Sequence, residues 1–125
     1  MSGRVVHFEL PVDDVERAQG FYREAFGWDF NSLPEMGYTL IGTTPSGENG
    51  PTEPGAINGG MFARQDPVRA PVVTIEVDDI AAALKTVESL GGRTARETFP
   101  VGDMGLAAYF TDTEGNVVGL WQNAG

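Results

Sequence analysis

The decamer VVHFELPVDD at residues 5 to 14 returns as APVVTIEVDD at residues 70 to 79. An offset of 65 pairs Val12 with Val77, Asp13 with Asp78, Asp14 with Asp79, Ala18 with Ala83 and Gly27 with Gly92, with Leu10 and Val15 answered by Ile75 and Ile80. Further on, Met36-Gly37-Tyr38 matches Met104-Gly105-Leu106 at an offset of 68. A chain that repeats itself in this way is built from two copies of one supersecondary unit. The first copy covers about residues 4 to 64 and the second about 69 to 123, within a single domain spanning 1 to 125.

Each copy begins with apolar residues at every second position, Phe8, Leu10 and Val12 in one and Val73, Ile75 and Val77 in the other, the period of a strand with one buried face. His7, Glu9 and Pro11 then face the other way, as do Val72, Thr74 and Glu76. Asp14 and Asp79 stand where a helix N-cap is needed. Val15, Ala18, Tyr22, Ala25 and Phe26 follow at helical spacing and stop at Gly27; Ile80, Ala83, Leu84, Val87 and Leu90 stop at Gly91-Gly92. Three strands are predicted after each helix, near 28 to 33, 37 to 43 and 56 to 63, then 93 to 99, 106 to 111 and 116 to 122. The fold class is therefore α+β, βαβββ twice, with the two sheets expected to curl into a half-open, barrel-like cleft. TTPSGENGPTEPG, residues 43 to 55, has no periodicity and reads as a loop.

Composition removes several functions. Without cysteine there is no disulfide, thiolate zinc site or thiol nucleophile. A net charge of −10, with one lysine, argues against binding nucleic acid, which needs clustered cations. No apolar run is long enough for a signal segment or a membrane span, so the expected setting is the cytoplasm. A Ser-His-Asp arrangement would have to use the single histidine, His7, and no G-x-S-x-G elbow accompanies it. Phosphate-binding glycine loops are also absent.

The phrase H-x-x-x-x-V-x-D-V-x-x-A-x-x-F-Y-x-x-x-F-G-W, beginning at His7, and the turn and strand DTEGNVVGLWQ at 112 to 122, together with the doubled module, resemble the vicinal oxygen chelate superfamily. That group includes glyoxalase I, extradiol dioxygenases, methylmalonyl-CoA epimerase, fosfomycin-modifying enzymes and bleomycin-resistance proteins. The resemblance implies, in metal-dependent members, four ligands drawn from the first and last strands of each module around a divalent ion. His7 matches the first position, but its repeat mate is Val72, the last strand of module two offers Gly119, and that of module one offers Gly59 or Gly60. One imidazole does not retain a metal by itself. The expectation is hence no metal and no cofactor; the alternative is a zinc, nickel or manganese site recruiting His7, Glu9 and Glu76.

For His7 three roles stand open: a strand histidine with satisfied bonds, a hydrogen-bonding group for a ligand, or a metal ligand. With Glu9 it also forms a candidate catalytic acid and base pair. Parity on the last strand sends Val118 and Leu120 to the core and turns Gly119 and Trp121 toward the cleft, with Met61 taken as the large residue matching Trp121. Phe30 and Tyr38 are further wall candidates, and Thr74 joins His7 and Glu9 as a polar contact. The leading expectation is a small-molecule-binding protein of the glyoxalase and bleomycin-resistance type that sequesters a flat or hydrophobic ligand, such as an antibiotic or natural product, without turnover. The rival is a divalent-metal-dependent lyase, isomerase or epimerase related to glyoxalase I. The resemblance further implies a homodimer.

Overall fold

The computed structural model describes residues 3–125, which divide into two compact units, 7–71 and 72–125 with 3–6. In the first, β1 (Val5–Val12) leads to α1 (Val15–Phe26), β2 (Asp29–Leu33), a 3-10 turn (Pro34–Met36), β3 (Tyr38–Gly42), a small hairpin β4 (Ser46–Gly47) and β5 (Gly50–Pro51), and β6 (Gly59–Ala63). In the second, β7 (Val72–Glu76) leads to α2 (Ile80–Ser89), β8 (Arg93–Val101), β9 (Gly105–Thr111) and β10 (Val117–Asn123). Each unit is thus βαβββ, the α+β organisation expected from the repeat.

The two sheets share one topology. β1 runs parallel to β6, which pairs antiparallel with β3, which pairs antiparallel with β2. Likewise β7 runs parallel to β10, followed by antiparallel β9 and β8. Each sheet is mixed and open rather than closed on itself. The parallel first and last strands place Glu9 beside Gly60 and Thr74 beside Gly119, so equivalent positions of the repeat meet in equivalent places.

Both helices start where their caps dictate. Arg17 N donates to Asp14 Oδ1 at 3.0 Å and Ala82 N to Asp79 Oδ1 at 3.1 Å, each satisfying an amide that the first helical turn leaves without a partner. Gly27 closes α1 at φ 73°, a conformation open to glycine without the clash a side chain brings. α2 covers its sheet through Ile80 and Leu84, packed with Ala108 and Leu120 and flanked by Ile75, Val77, Leu106 and Phe110. α1 buries none of its residues fully; Tyr22 instead stacks on Trp28 with ring centres 4.7 Å apart, and Phe8 closes on Trp28 at 5.8 Å.

The 43–55 stretch is more ordered than its lack of periodicity suggests. Asn58 Oδ1 accepts from Thr43 N at 2.8 Å and its amide donates to Ser46 Oγ at 2.7 Å, which holds the entry to the β4–β5 hairpin, while Thr52 N donates to Pro45 O at 2.9 Å and closes it. Local bonds of this kind leave no periodic signature in a sequence. Before β10, Asp112 accepts from the backbone of Glu114 and Asn116 and from the Asn116 side chain. Those bonds, the Asn116 amide first, hold its carboxyl below the ordinary value. Among the described residues no helix is long and apolar enough to cross a membrane.

Candidate functional site

Pairing alone sorts the side chains of the first unit into two faces, because residues directly opposite in a ladder point the same way. Phe8, Leu10, Gly59, Met61, Thr39, Ile41, Phe30 and Ser32 fall on the face toward α1. His7, Glu9, Pro11, Gly60, Phe62, Tyr38 and Leu40 fall on the other. Contacts agree: the Arg23 guanidinium of α1 lies over the Phe30 ring at 5.4 Å, and Tyr38 stacks with Phe62 at 5.7 Å.

Two expected wall residues therefore belong elsewhere. Met61, with 0% exposure, is a core residue in register with Leu10, and Phe30 lies under Arg23 on the helix side. The reason is a one-residue choice of register, which moves a strand residue from one face to the other. Met61 matches Trp121 only if Gly59, rather than Gly60, is the counterpart of Gly119. The parallel ladders instead match Gly60 to Gly119 and hence Phe62 to Trp121. Phe62 was visible in the sequence, but nothing there decided between adjacent glycines.

On the face away from α1 three groups converge. Tyr38 donates its hydroxyl hydrogen to Glu9 Oε2 at 2.9 Å, and His7 Nε2 lies 2.8 Å from the Tyr38 hydroxyl oxygen. With its one hydrogen committed to the carboxylate, the phenol oxygen accepts from His7, which assigns the imidazole hydrogen to Nε2. Burial pushes the His7 pKa down from 6.5 to about 4, so the ring is neutral at neutral pH. Glu9 is 8% exposed. Gly60 makes the arrangement possible: a β-carbon there would run into the Tyr38 hydroxyl and ring.

The second unit presents Thr74, Glu76, Tyr109, Gly119 and Trp121 on its corresponding face. Gly105 leaves room for the indole, since a β-carbon there would come within 2.7 Å of it. Trp121 Nε1 donates to Asn123 Oδ1 at 2.8 Å, and Asn123 Nδ2 donates to Glu76 Oε2 at 2.7 Å. Arg4 also pairs with Glu76, at 3.5 Å. Glu76 is thus held in its own chain of bonds. Thr74 is buried, beside Gly119.

The donor set does not fit the four-ligand metal site that the family implies. His7 and Glu9 supply two donor atoms, and the phenol oxygen occupies the point on which both converge. The last-strand positions are Gly60 and Gly119, which bring no donor side chain. Among the described residues no group of three or more His, Cys, Asp or Glu could hold an ion.

Comparison with known proteins adds a second line of evidence. Residues 4–44 match the family model for bleomycin resistance protein-like N-terminal regions. A glyoxylase-like domain-containing protein of Didymella fabae is 31% identical over 93% of this chain and 91% of its own. A probable lactoylglutathione lyase of Vibrio parahaemolyticus is 30% identical over 98% of this chain and 92% of its own. Among solved structures, methylmalonyl-CoA epimerase from Mycobacterium tuberculosis superposes with a TM-score of 0.66 at 17% identity, over 98% of this chain and 89% of that one. The expectation of a protein without a cofactor is corrected by these relatives. Lactoylglutathione lyase is the glyoxalase I activity, to which the divalent-metal-dependent reading was tied, and such lyases match nearly the whole chain.

Proposed function

We infer, from the premise that this chain belongs to the vicinal oxygen chelate superfamily of glyoxalase-like proteins, that it is a lyase, isomerase or epimerase acting on a small molecule with adjacent oxygens. Its proton-handling groups are His7 and Glu9. One observation carries this reading: a hydroxyl group already sits between them, its oxygen accepting from the imidazole and its hydrogen given to the carboxylate. A hydroxyl or enol of a substrate in that place would make the same two bonds.

The chemistry follows from the donors. A substrate carbonyl oxygen accepts from His7 Nε2–H, which favours the negative charge that develops there. Glu9 takes the proton from the adjacent hydroxyl-bearing carbon, and the C–H electron pair moves to the carbonyl oxygen as an enolate held by the His7 hydrogen bond; the adjacent hydroxyl passes its proton to that oxygen, and Glu9 returns its proton to the former carbonyl carbon, leaving the adjacent carbon as the new carbonyl. Positioned acid and base groups of this type contribute about 10²–10⁴-fold. Neutral His7 donates a hydrogen bond without carrying a charge, and the buried position of Glu9 limits competition from water. The relatives favour a divalent ion in the working enzyme, yet the residues present do not supply its full ligand set, so none of these steps is routed through one.

The test is solvent deuterium exchange. Lactoylglutathione and other α-hydroxy thioesters, incubated with the protein in D₂O with and without added divalent ions, should gain one deuterium at the carbon next to the carbonyl, read by mass spectrometry. Glu9→Gln should abolish the gain. No exchange by the wild type under any of these conditions would remove the enzymatic reading. The match of residues 4–44 to the bleomycin-resistance model supports a second reading, binding of an antibiotic or natural product without turnover. It predicts tight ligand binding with no exchange. The exposed Phe21 and Phe26 of α1 are consistent with the family's homodimer, which sedimentation measures directly.

A further inference from the structure

We propose that the outer stripe of α1, formed by Arg17, Gly20, Phe21 and Glu24, docks against α1 of a second copy of this chain. The two helices pack antiparallel about a twofold axis that passes between Gly20 and Phe21. The inference concerns association and does not depend on the reaction proposed above.

The four residues stand at i, i+3, i+4 and i+7, the spacing of one helical face. It is the side turned to solvent: Phe21 is 62% exposed, and Arg17 and Glu24 are exposed beside it. Water alone gives no reason for the two central residues. An exposed phenylalanine leaves apolar area unburied, and a glycine in a helix interior weakens the helix relative to alanine. Both become useful when another helix lies across them. At Gly20 nothing stands within 4 Å of the place a β-carbon would take, so the backbone is open to close approach. Beside Phe21 opens a groove of about 420 Å³, lined in part by Pro11, Val12, Ala18 and Tyr22, with room for a second phenylalanine ring against the first. Phe26, the other exposed ring of α1, falls off the stripe and packs toward Tyr22 and Trp28.

Charge selects the occupant. The stripe carries a cation toward the helix N-terminus and an anion toward the C-terminus, equally far from the Gly20–Phe21 step. Under an antiparallel twofold, Arg17 of each copy meets Glu24 of the other, while Phe21 meets Phe21 and Gly20 meets Gly20. A parallel arrangement would set like charge against like. Among the described residues neither the Arg17 guanidinium nor the Glu24 carboxylate has an ion pair inside its own chain, whereas Asp13 at the groove is already paired with Arg64 at 3.0 Å. A surface that is its own complement under a twofold is what an isologous interface requires. Two helices, each about 18 Å long, cover less than the roughly 1,200–2,000 Å² of a standard interface. The dimer is accordingly expected at micromolar concentration.

Sedimentation equilibrium of the full chain, from about 1 to 200 μM, should show monomer and dimer in exchange. Phe21→Ser, Arg17→Glu and Glu24→Arg should each weaken the dimer at least tenfold, with circular dichroism showing the fold retained. The decisive arm is a mixture. Arg17→Glu and Glu24→Arg each repel themselves, but mixed in equal amounts they should associate again, because opposite charges then face each other at both ends. Rescue between two chains is not something a change inside one chain produces. A wild type that stays monomeric throughout would overturn the proposal and leave the stripe to a partner of another kind. Folded Phe21→Ser dimerising as tightly as wild type would overturn it too, as would a mixture associating no better than its components. None of these results bears on the Glu9-dependent deuterium exchange, so the two readings fail separately.

Discussion

Acidification isolates His7, because it is the single histidine of the chain. Its folded pKa of about 4 lies below the ordinary 6.5, from burial of the ring. Between those two values the unfolded chain binds a proton that the folded chain refuses, so the unfolded state gains as pH falls. The stabilisation that His7 contributes is complete at pH 7, declines below about 6.5 and is gone once the pH is under about 4. Each pH unit inside the window is worth about 1.4 kcal/mol. The whole shift amounts to about 3 kcal/mol as an upper figure, since the half-buried ring keeps some contact with solvent. That is a large share of the roughly 5–15 kcal/mol typical of a domain.

The measurement is direct: the ring protons of one histidine give one pair of NMR resonances, which should hold their positions from pH 8 to about 5. Urea unfolding across the same range should show the wild type losing up to about 2 kcal/mol more than His7→Gln, which keeps an amide donor but cannot titrate. A resonance midpoint near 6.5 in the folded protein would refute the account of a neutral, desolvated imidazole bonded to Tyr38. Other carboxylates titrate in this range too, and the His7→Gln comparison subtracts them.

The assignment of Met61 to the core is open to a simple test: Met61→Ala should cost about 2–5 kcal/mol in urea unfolding and leave deuterium exchange by the folded protein unchanged. Altered exchange at full stability would return Met61 to the site. The two last-strand glycines should differ when each becomes alanine. At Gly119 the new β-carbon would lie 2.9 Å from Thr74 Oγ1, which can rotate away, so a loss below about 1 kcal/mol is expected. At Gly60 the Tyr38 ring must move and the bonds to His7 and Glu9 must break, so thermal denaturation should show a clearly larger loss. Equal losses would mean that Tyr38 is not held over Gly60.

Much of the fold was legible before any coordinates. The duplication, the two Asp caps, the glycine stops and the period-two strands are local or self-comparing signals, and the structure repeats them nearly residue for residue. On the first strand, the alternation correctly separated His7 and Glu9 from Phe8 and Leu10. The hairpin inside 43–55 was not legible, because it is held by local bonds such as Thr52 to Pro45 and by Asn58 from beyond the loop, neither of which leaves a periodic pattern.

What tertiary structure alone decided is how strands pair and what their side chains meet. Whether Gly59 or Gly60 faces Glu9 is a matter of register, and with it went the choice between Met61 and Phe62. Tyr38 is named by its sequence as an aromatic on a strand, but its hydroxyl finds His7 and Glu9 only because β3 and β1 flank β6 and Gly60 lies flat between them. A repeat encodes the unit that recurs; a contact between residues 29 and 31 positions apart is settled by folding, where one absent side chain makes room for another.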